Sequence, residues 1–197
     1  ALGSDQLNAL DSAQLQAIET RDIAALTTAQ VNTLDTEAIS FLSTRQISAL
    51  SSDQAMALST DQIKALTTSQ IVGLTSKQLN TLIASQITAI ETADIEQLST
   101  SAVASLPPAS LAMLSTDQIV ALTTAQAKAL TSAQLNELTS AQIPAIETRD
   151  LAAIGTTAIA GMTDAKLALL TTDQIVSLTT AQLAAIGMTT AQIDALT

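Results

Sequence analysis

The 197-residue chain contains no cysteine, histidine, tryptophan or tyrosine, and its single aromatic residue is Phe41. These absences exclude disulfides, thiolate and imidazole metal sites, Ser-His-Asp and Cys-His catalysis, and aromatic stacking platforms. The five glycines are isolated, so no glycine-rich phosphate loop is formed. We therefore expect no enzyme activity, no catalytic, cofactor-binding or metal site, no cofactor and no small-molecule ligand.

Positive charge is also scarce, since 18 acidic side chains face 7 basic ones and the net charge is −11. Binding to nucleic acid needs clustered Lys and Arg, but the basic residues here are scattered singly. They are Lys64, Lys77, Lys128, Lys166, Arg21, Arg45 and Arg149. No apolar run approaches the ~20 residues that span a bilayer. We expect no nucleic-acid partner, no membrane insertion, and any export signal to lie outside this segment.

One eight-residue pattern, roughly T-T-A-Q-I-x-A-L, fills the chain. Twenty-three such octads occupy residues 3–186, Gly187 and Met188 interrupt them, and a final octad occupies residues 189–196. Octad positions are numbered from residue 3, so that an aliphatic residue recurs at position eight. A fixed period is typical of an array whose units bury apolar surface against their neighbours. The sequence predicts a single repeat array over residues 1–197, which we interpret as a segment of a longer array.

Each octad carries a signal for the start of a helix. In the octad that begins at Thr171, this residue and Gln174 have the spacing of a capping box, and Leu170 and Ile175 have that of a hydrophobic staple. The same capping spacing recurs with the pairs Thr123 and Gln126, Thr131 and Gln134, Thr179 and Gln182, and Thr189 and Gln192. Because the signal returns every eight residues, each helix is expected to be only about six residues long.

Two rival structures fit the pattern less well. In one continuous helix the aliphatic stripe would drift by roughly 80° per octad. In a β-solenoid the apolar residues should alternate, whereas here they occupy positions five, seven and eight. The sequence therefore predicts an all-α solenoid of short helices, one per octad. We expect two octads in each coil, with three as the alternative.

Positions five and eight are expected to form the core, because they are almost always aliphatic. Position six varies widely and is expected to face solvent. Its residues include Asn8, Gln16, Lys64, Val72, Asn80 and Glu96.

Three octads share an acidic variant, namely Glu19–Asp22, Glu91–Asp94 and Glu147–Asp150. They suggest either Ca²⁺ sites or duplicated blocks whose acids favour helix N-termini. We prefer the second interpretation, since the chain has no D-x-D-x-D-G run. Lys166, beside Asp164, is interpreted as half of a solvated surface pair.

Two resemblances follow from these residues. The unit L-T-x-x-Q-I-x-A-L, as in Leu122–Leu130 or Leu178–Ile186, resembles the opening helix of the repeats of transcription-activator-like effectors. It covers about nine residues and lacks the second helix and the base-reading loop, so we interpret it as shared helix-start chemistry. The whole array resembles the octapeptide tracts of large bacterial surface or secreted adhesin-like proteins, which implies an extracellular or cell-surface location.

These observations favour a structural or interaction segment of a large extracellular bacterial protein, acting as a rod-like spacer or an adhesive surface. Its partners would be proteins or further copies of itself. The alternative is a binding scaffold that uses the variable sixth position. A third hypothesis, suggested by the regularly spaced Thr pairs, is binding to ice or a mineral surface.

Overall fold

The computed structural model describes residues 3–187, and over this range every octad forms one α-helix of four to six residues without any strand. The predicted all-α array of short helices is confirmed. The helices are α1 (Ser4–Asn8), α2 (Ser12–Ala17), α3 (Thr20–Ala24), α4 (Thr28–Asn32), α5 (Thr36–Phe41), α6 (Thr44–Ala49), α7 (Ser52–Met56), α8 (Thr60–Ala65), α9 (Thr68–Val72), α10 (Ser76–Leu79), α11 (Ala84–Ile87), α12 (Thr92–Gln97), α13 (Thr100–Ser105), α14 (Pro108–Leu111), α15 (Thr116–Val120), α16 (Thr124–Lys128), α17 (Ser132–Glu137), α18 (Gln142–Ala145), α19 (Thr148–Ala153), α20 (Thr156–Ala160), α21 (Asp164–Leu167), α22 (Thr172–Ser177) and α23 (Thr180–Ala185).

Many of the helices begin at capping boxes of the predicted kind. The hydroxyl of Thr171 accepts a hydrogen bond from the backbone N–H of Gln174 at 3.2 Å, and the Gln174 Oε1 accepts one from the Thr171 N–H at 2.9 Å. The predicted boxes at Thr123, Thr131 and Thr179 are also present, whereas the one at Thr189 lies outside the described residues. Each box satisfies two backbone donors that a helix start would otherwise leave without partners.

Many of the helices end directly at extended residues. After α8, Leu66 has φ −63° and ψ 133°, and the next residue, Thr67, has φ −71° and ψ 158° as the N-cap of α9. The Leu66 N–H still bonds to the Ile63 carbonyl at 3.2 Å, which closes the last turn. Pro144 is at position six of the octad that contains α18. It lacks an N–H group, but this costs the short helix only one hydrogen bond.

The core consists of positions five and eight, as predicted. Position five is buried in every described octad except those of Leu167 and Ile175, and position eight is buried from Leu34 onward apart from Leu106 and Ile186. Because each octad contributes only two such side chains, no helix could be stable without its neighbours.

The expectation of two octads per coil is wrong. Helices pack against helices three octads away along the chain, as α3 does on α6, α5 on α8 and α16 on α19. A two-octad coil would require the chain to reverse its direction at every corner. Two successive extended residues, such as Leu66 and Thr67, do not reverse the chain, so the coil needs at least three sides.

The helices fall into two compact units, with α1–α12 inside Ala1–Leu98 and α13–α23 inside Ser99–Thr197. This packing of helices three octads apart occurs inside both units. Each unit is therefore a helical solenoid with the same construction.

Two glycines test how closely the coils approach. A Cβ atom added to Gly161 would lie 2.5 Å from the Cβ of Ser132 in α17, whereas one added to Gly155 would meet nothing within 4 Å. We expect Gly161→Ala to lower the free energy of unfolding by about 1–3 kcal/mol through overpacking. Gly155→Ala should leave it unchanged or raise it by up to about 1 kcal/mol. Urea denaturation of both variants measures the difference, and equal effects would contradict this contact.

Candidate functional surface

Glutamine side chains at position four form the main polar feature of the interior. The Gln62 Oε1 accepts a hydrogen bond from the Ser59 N–H at 2.7 Å, which completes the capping box of its own helix. Its Nε2 group donates to the carbonyl oxygens of Val31 at 2.9 Å and Leu34 at 2.7 Å, in the octad four units earlier. Only 2% of this residue is exposed. The Gln62 amide therefore caps the N-terminus of its own helix and also forms hydrogen bonds to the preceding coil.

This arrangement repeats along both units, and we name it the glutamine ladder. Its Nε2 groups donate to backbone carbonyls that lie 28 and 30 or 31 residues earlier in the chain. The ladder comprises Gln46, Gln54, Gln62, Gln70, Gln78 and Gln86 in the first unit and Gln134, Gln142, Gln174 and Gln182 in the second. Since helices pack against helices three octads away and each ladder bond reaches four octads back, one turn of the solenoid holds between three and four octads.

Sequence reasoning identified these glutamines as capping residues and missed the bonds between coils. A signal was present, because a capping box accepts Glu as readily as Gln and the helix dipole favours Glu. The chain nevertheless has Gln at position four in 16 of 24 octads and Glu in none. A requirement for an N–H donor explains this choice.

Position six is only partly the solvent-facing position that was expected. Lys64, Val72 and Glu96 are exposed, in agreement with the prediction. In contrast, the Asn8 Nδ2 donates to the Thr33 carbonyl at 3.0 Å and its Oδ1 accepts from the Asp35 N–H at 3.0 Å.

Other polar residues at position six bond in the same way. Asn136 repeats both Asn8 bonds, and the amides of Gln16 and Asn32 each donate to a carbonyl 25 residues later. Asn80 is half-buried, and its Oδ1 atom has no hydrogen-bond partner. Several polar amides at this position thus bond to the following coil, and Gln16 and Asn32 do so while remaining exposed, as was expected for Gln16.

Two of the three acidic octads form ion pairs within the octad, and one of them also bonds to the octad three units earlier. Arg21 pairs with Glu19 at 2.9 Å, and Arg149 pairs with Glu147 at 2.6 Å. The buried Asp150 accepts a hydrogen bond from the Thr124 hydroxyl at 2.5 Å. Among residues 3–187, no three acidic side chains come close enough to hold a metal ion. These contacts agree with a structural interpretation of the acidic octads.

Lys166 does not form the surface pair with Asp164 that was expected. Its Nζ donates to the carbonyl oxygen of Leu138, 28 residues earlier, which is the spacing of a ladder bond. A lysine can take this place because it supplies the N–H donor that the carbonyl requires.

Large apolar side chains are exposed mainly at position six, where Met56, Val72, Val120 and Val176 are each 41–49% exposed. Met56 and Val72 lie two octads apart in the first unit, and Val120 and Val176 lie seven octads apart in the second. No helix within residues 3–187 has both the length and the apolar character needed to cross a membrane.

Comparison with protein families matches the sequence to one family. The ALTTAQ repeat family matches the chain over residues 15–52, 41–68, 52–84, 87–124 and 143–180. The chain belongs to the ALTTAQ repeat family. The hexapeptide occurs here as Ala25–Gln30 and Ala121–Gln126. Its residues cover the corner, the N-cap and the glutamine at position four, so an ALTTAQ unit describes the junction between two helices. A search among curated proteins found no match.

Proposed function

We propose that this ALTTAQ array is a structural segment of a large extracellular bacterial protein and acts as a spacer or an adhesive surface. The observation that supports the proposal is the use of the repeated side chains. Positions one, four, five and eight of the octad serve capping, the ladder and the core. Near-identical units of this kind provide reach and surface, and they leave few unlike groups to combine into a reaction centre.

A binding scaffold is the second candidate, and the exposed apolar residues at position six favour it. Val72 in the first unit and Val120 and Val176 in the second are each 41–49% exposed. Such residues would serve as apolar anchors for a protein partner. Replacement of all three by Ser should abolish partner binding and leave the fold intact if the scaffold is correct.

The spacer proposal is tested by changing the number of octads. We expect deletion of the three octads from Ser43 to Leu66 to leave a folded protein whose thermal midpoint falls only modestly. After this deletion Gln70 lies at the correct spacing to reach the carbonyls of Leu15 and Ile18, which Gln46 bonds in the intact chain. Circular dichroism and thermal denaturation measure both properties.

The matched control is deletion of Ser43 to Gln62. This deletion removes four residues fewer, but it breaks the octad register and should prevent cooperative folding.

For the test of function, the chain is placed between a bacterial surface anchor and a fluorescent label. As a spacer, it should raise the label above the surface in proportion to the number of octads. As an adhesive surface, it should make coated beads bind to bacterial cells. The proposal fails if octad number changes neither label height nor bead binding.

A further inference from the structure

Asp94 is a buried carboxylate without a partner among the described residues. It lies at position four of the second acidic octad, in α12, and only 6% of the residue is exposed. Its side chain forms no hydrogen bond or ion pair within residues 3–187. Burial of a carboxylate is costly unless the charge is paired or coordinates a metal ion. A positive group is therefore required beside this side chain.

The third acidic octad shows how the equivalent carboxylate is satisfied. The Asp150 Oδ1 accepts a hydrogen bond from the Thr124 hydroxyl at 2.5 Å and lies 3.6 Å from the Arg149 Nε. At the place of the arginine the second acidic octad has Ala93, which has no charge. At the place of the hydroxyl it has Thr68, which forms no hydrogen bond with the carboxylate. The second octad thus lacks both of the contacts that balance the third.

Backbone oxygens lie on the side of α12 to which position four points. In the ladder, the Gln62 amide donates to the carbonyls 28 and 31 residues earlier. Counted back from position four of α12, the same spacings reach Leu66 and Ile63, and α12 packs on α9, which follows Leu66. The Leu66 oxygen accepts no hydrogen bond within residues 3–187. A carboxylate cannot donate to these oxygens, and the Asp side chain is one methylene shorter than Gln, so a gap separates the two sets of acceptors.

A cationic group occupies the equivalent place elsewhere in the array. Lys166, also at position four, directs its Nζ to the carbonyl oxygen of Leu138, 28 residues earlier. A positive charge is therefore compatible with a position-eight carbonyl at the interface between coils.

We propose that Asp94 binds one Ca²⁺ ion together with the carbonyl oxygens of Leu66 and Ile63, so that the ion joins two coils in place of a glutamine amide. The Thr68 hydroxyl and water complete the shell, since Ca²⁺ takes six to eight oxygen ligands. A single carboxylate gives weak binding, with a dissociation constant of roughly 10⁻⁴–10⁻³ M, as in extracellular calcium modules. The inference goes beyond the proposed structural function, and at this one octad it departs from the expectation of no metal site.

Calorimetric titration of the intact chain with Ca²⁺ tests the proposal. One ion should bind per chain, and Ca²⁺ should raise the thermal midpoint because it binds only the folded state. Asp94→Gln should abolish both effects while the protein stays folded, because Gln donates to the two carbonyls as in the ladder. The control is Glu96→Gln, which removes the same charge from an exposed residue of the same helix and should leave Ca²⁺ binding unchanged.

Nuclear magnetic resonance locates the ion. Ca²⁺ should shift the carbonyl carbon signals of Leu66 and Ile63 in the intact chain and leave them unchanged in Asp94→Gln. The inference is overturned by the absence of saturable binding up to about 10 mM Ca²⁺, roughly ten times the weakest constant expected. Equal loss of binding in Glu96→Gln also overturns it, because the ion would then respond only to the acidic surface. Either result leaves the spacer function to be decided by the label-height and bead assays.

Discussion

Gln62→Glu should lower the free energy of unfolding at neutral pH by about 3–5 kcal/mol, the usual cost of an uncompensated buried charge. The carboxylate would keep the capping role of Oε1 but would face the carbonyl oxygens of Val31 and Leu34, to which Gln62 now donates. The second carboxylate oxygen and the two carbonyl oxygens are all hydrogen-bond acceptors, so no hydrogen bond could form among them. Urea denaturation followed by circular dichroism measures the change.

The matched control for this prediction is Gln14→Glu. Gln14 occupies the same octad position and accepts the same capping hydrogen bond from Asp11, but it is exposed and its Nε2 has no carbonyl partner within residues 3–187. We expect this change to stay within about 0.5 kcal/mol. If the two variants lost the same stability, the bonds between coils would not be the reason for Gln at position four.

Ile119→Ala should cost about 2–5 kcal/mol, since it removes buried methylene groups and leaves a cavity between α15 and its neighbours. Ile119, at position five, is only 3% exposed. The next residue, Val120 at position six, is 41% exposed, and Val120→Ser should stay within about 0.5 kcal/mol. Comparable losses at the two adjacent positions would refute the division of the octad into core and surface.

Much of the fold could be predicted from the sequence because its signals are local. The capping box of Thr171 and Gln174 and the aliphatic residues at positions five and eight lie within a single octad, so one unit suffices to place a short helix and its buried side. Repetition then extends the result to the whole array.

The number of octads per coil could not be obtained in this way. It depends on the angle of each corner, and that angle depends on the backbone of residues such as Leu66 and Thr67, which many sequences can adopt. The partners of Gln62 lie 28 and 31 residues away, so they could not be identified until the coil period was known. The preference for Gln over Glu indicated a donor without showing its acceptor.

The second role of position six was missed for a related reason. Asn8 and Lys64 occupy the same place in the octad, and both are ordinary residues for an exposed helical surface. Only the following coil distinguishes them, because it brings the Thr33 carbonyl and the Asp35 N–H to the amide of Asn8. Variation at a position therefore did not mean that all its residues face solvent.

The central claim is that the glutamine ladder joins coils of between three and four octads. It is tested most directly by nuclear Overhauser effects from the side-chain amide hydrogens of Gln62 in the assigned, isotope-labelled protein. We predict contacts to the backbone of Val31 and Leu34, four octads earlier, together with slowed exchange of these amide hydrogens with solvent. Contacts to residues about two octads earlier, or contacts confined to its own helix, would contradict the account.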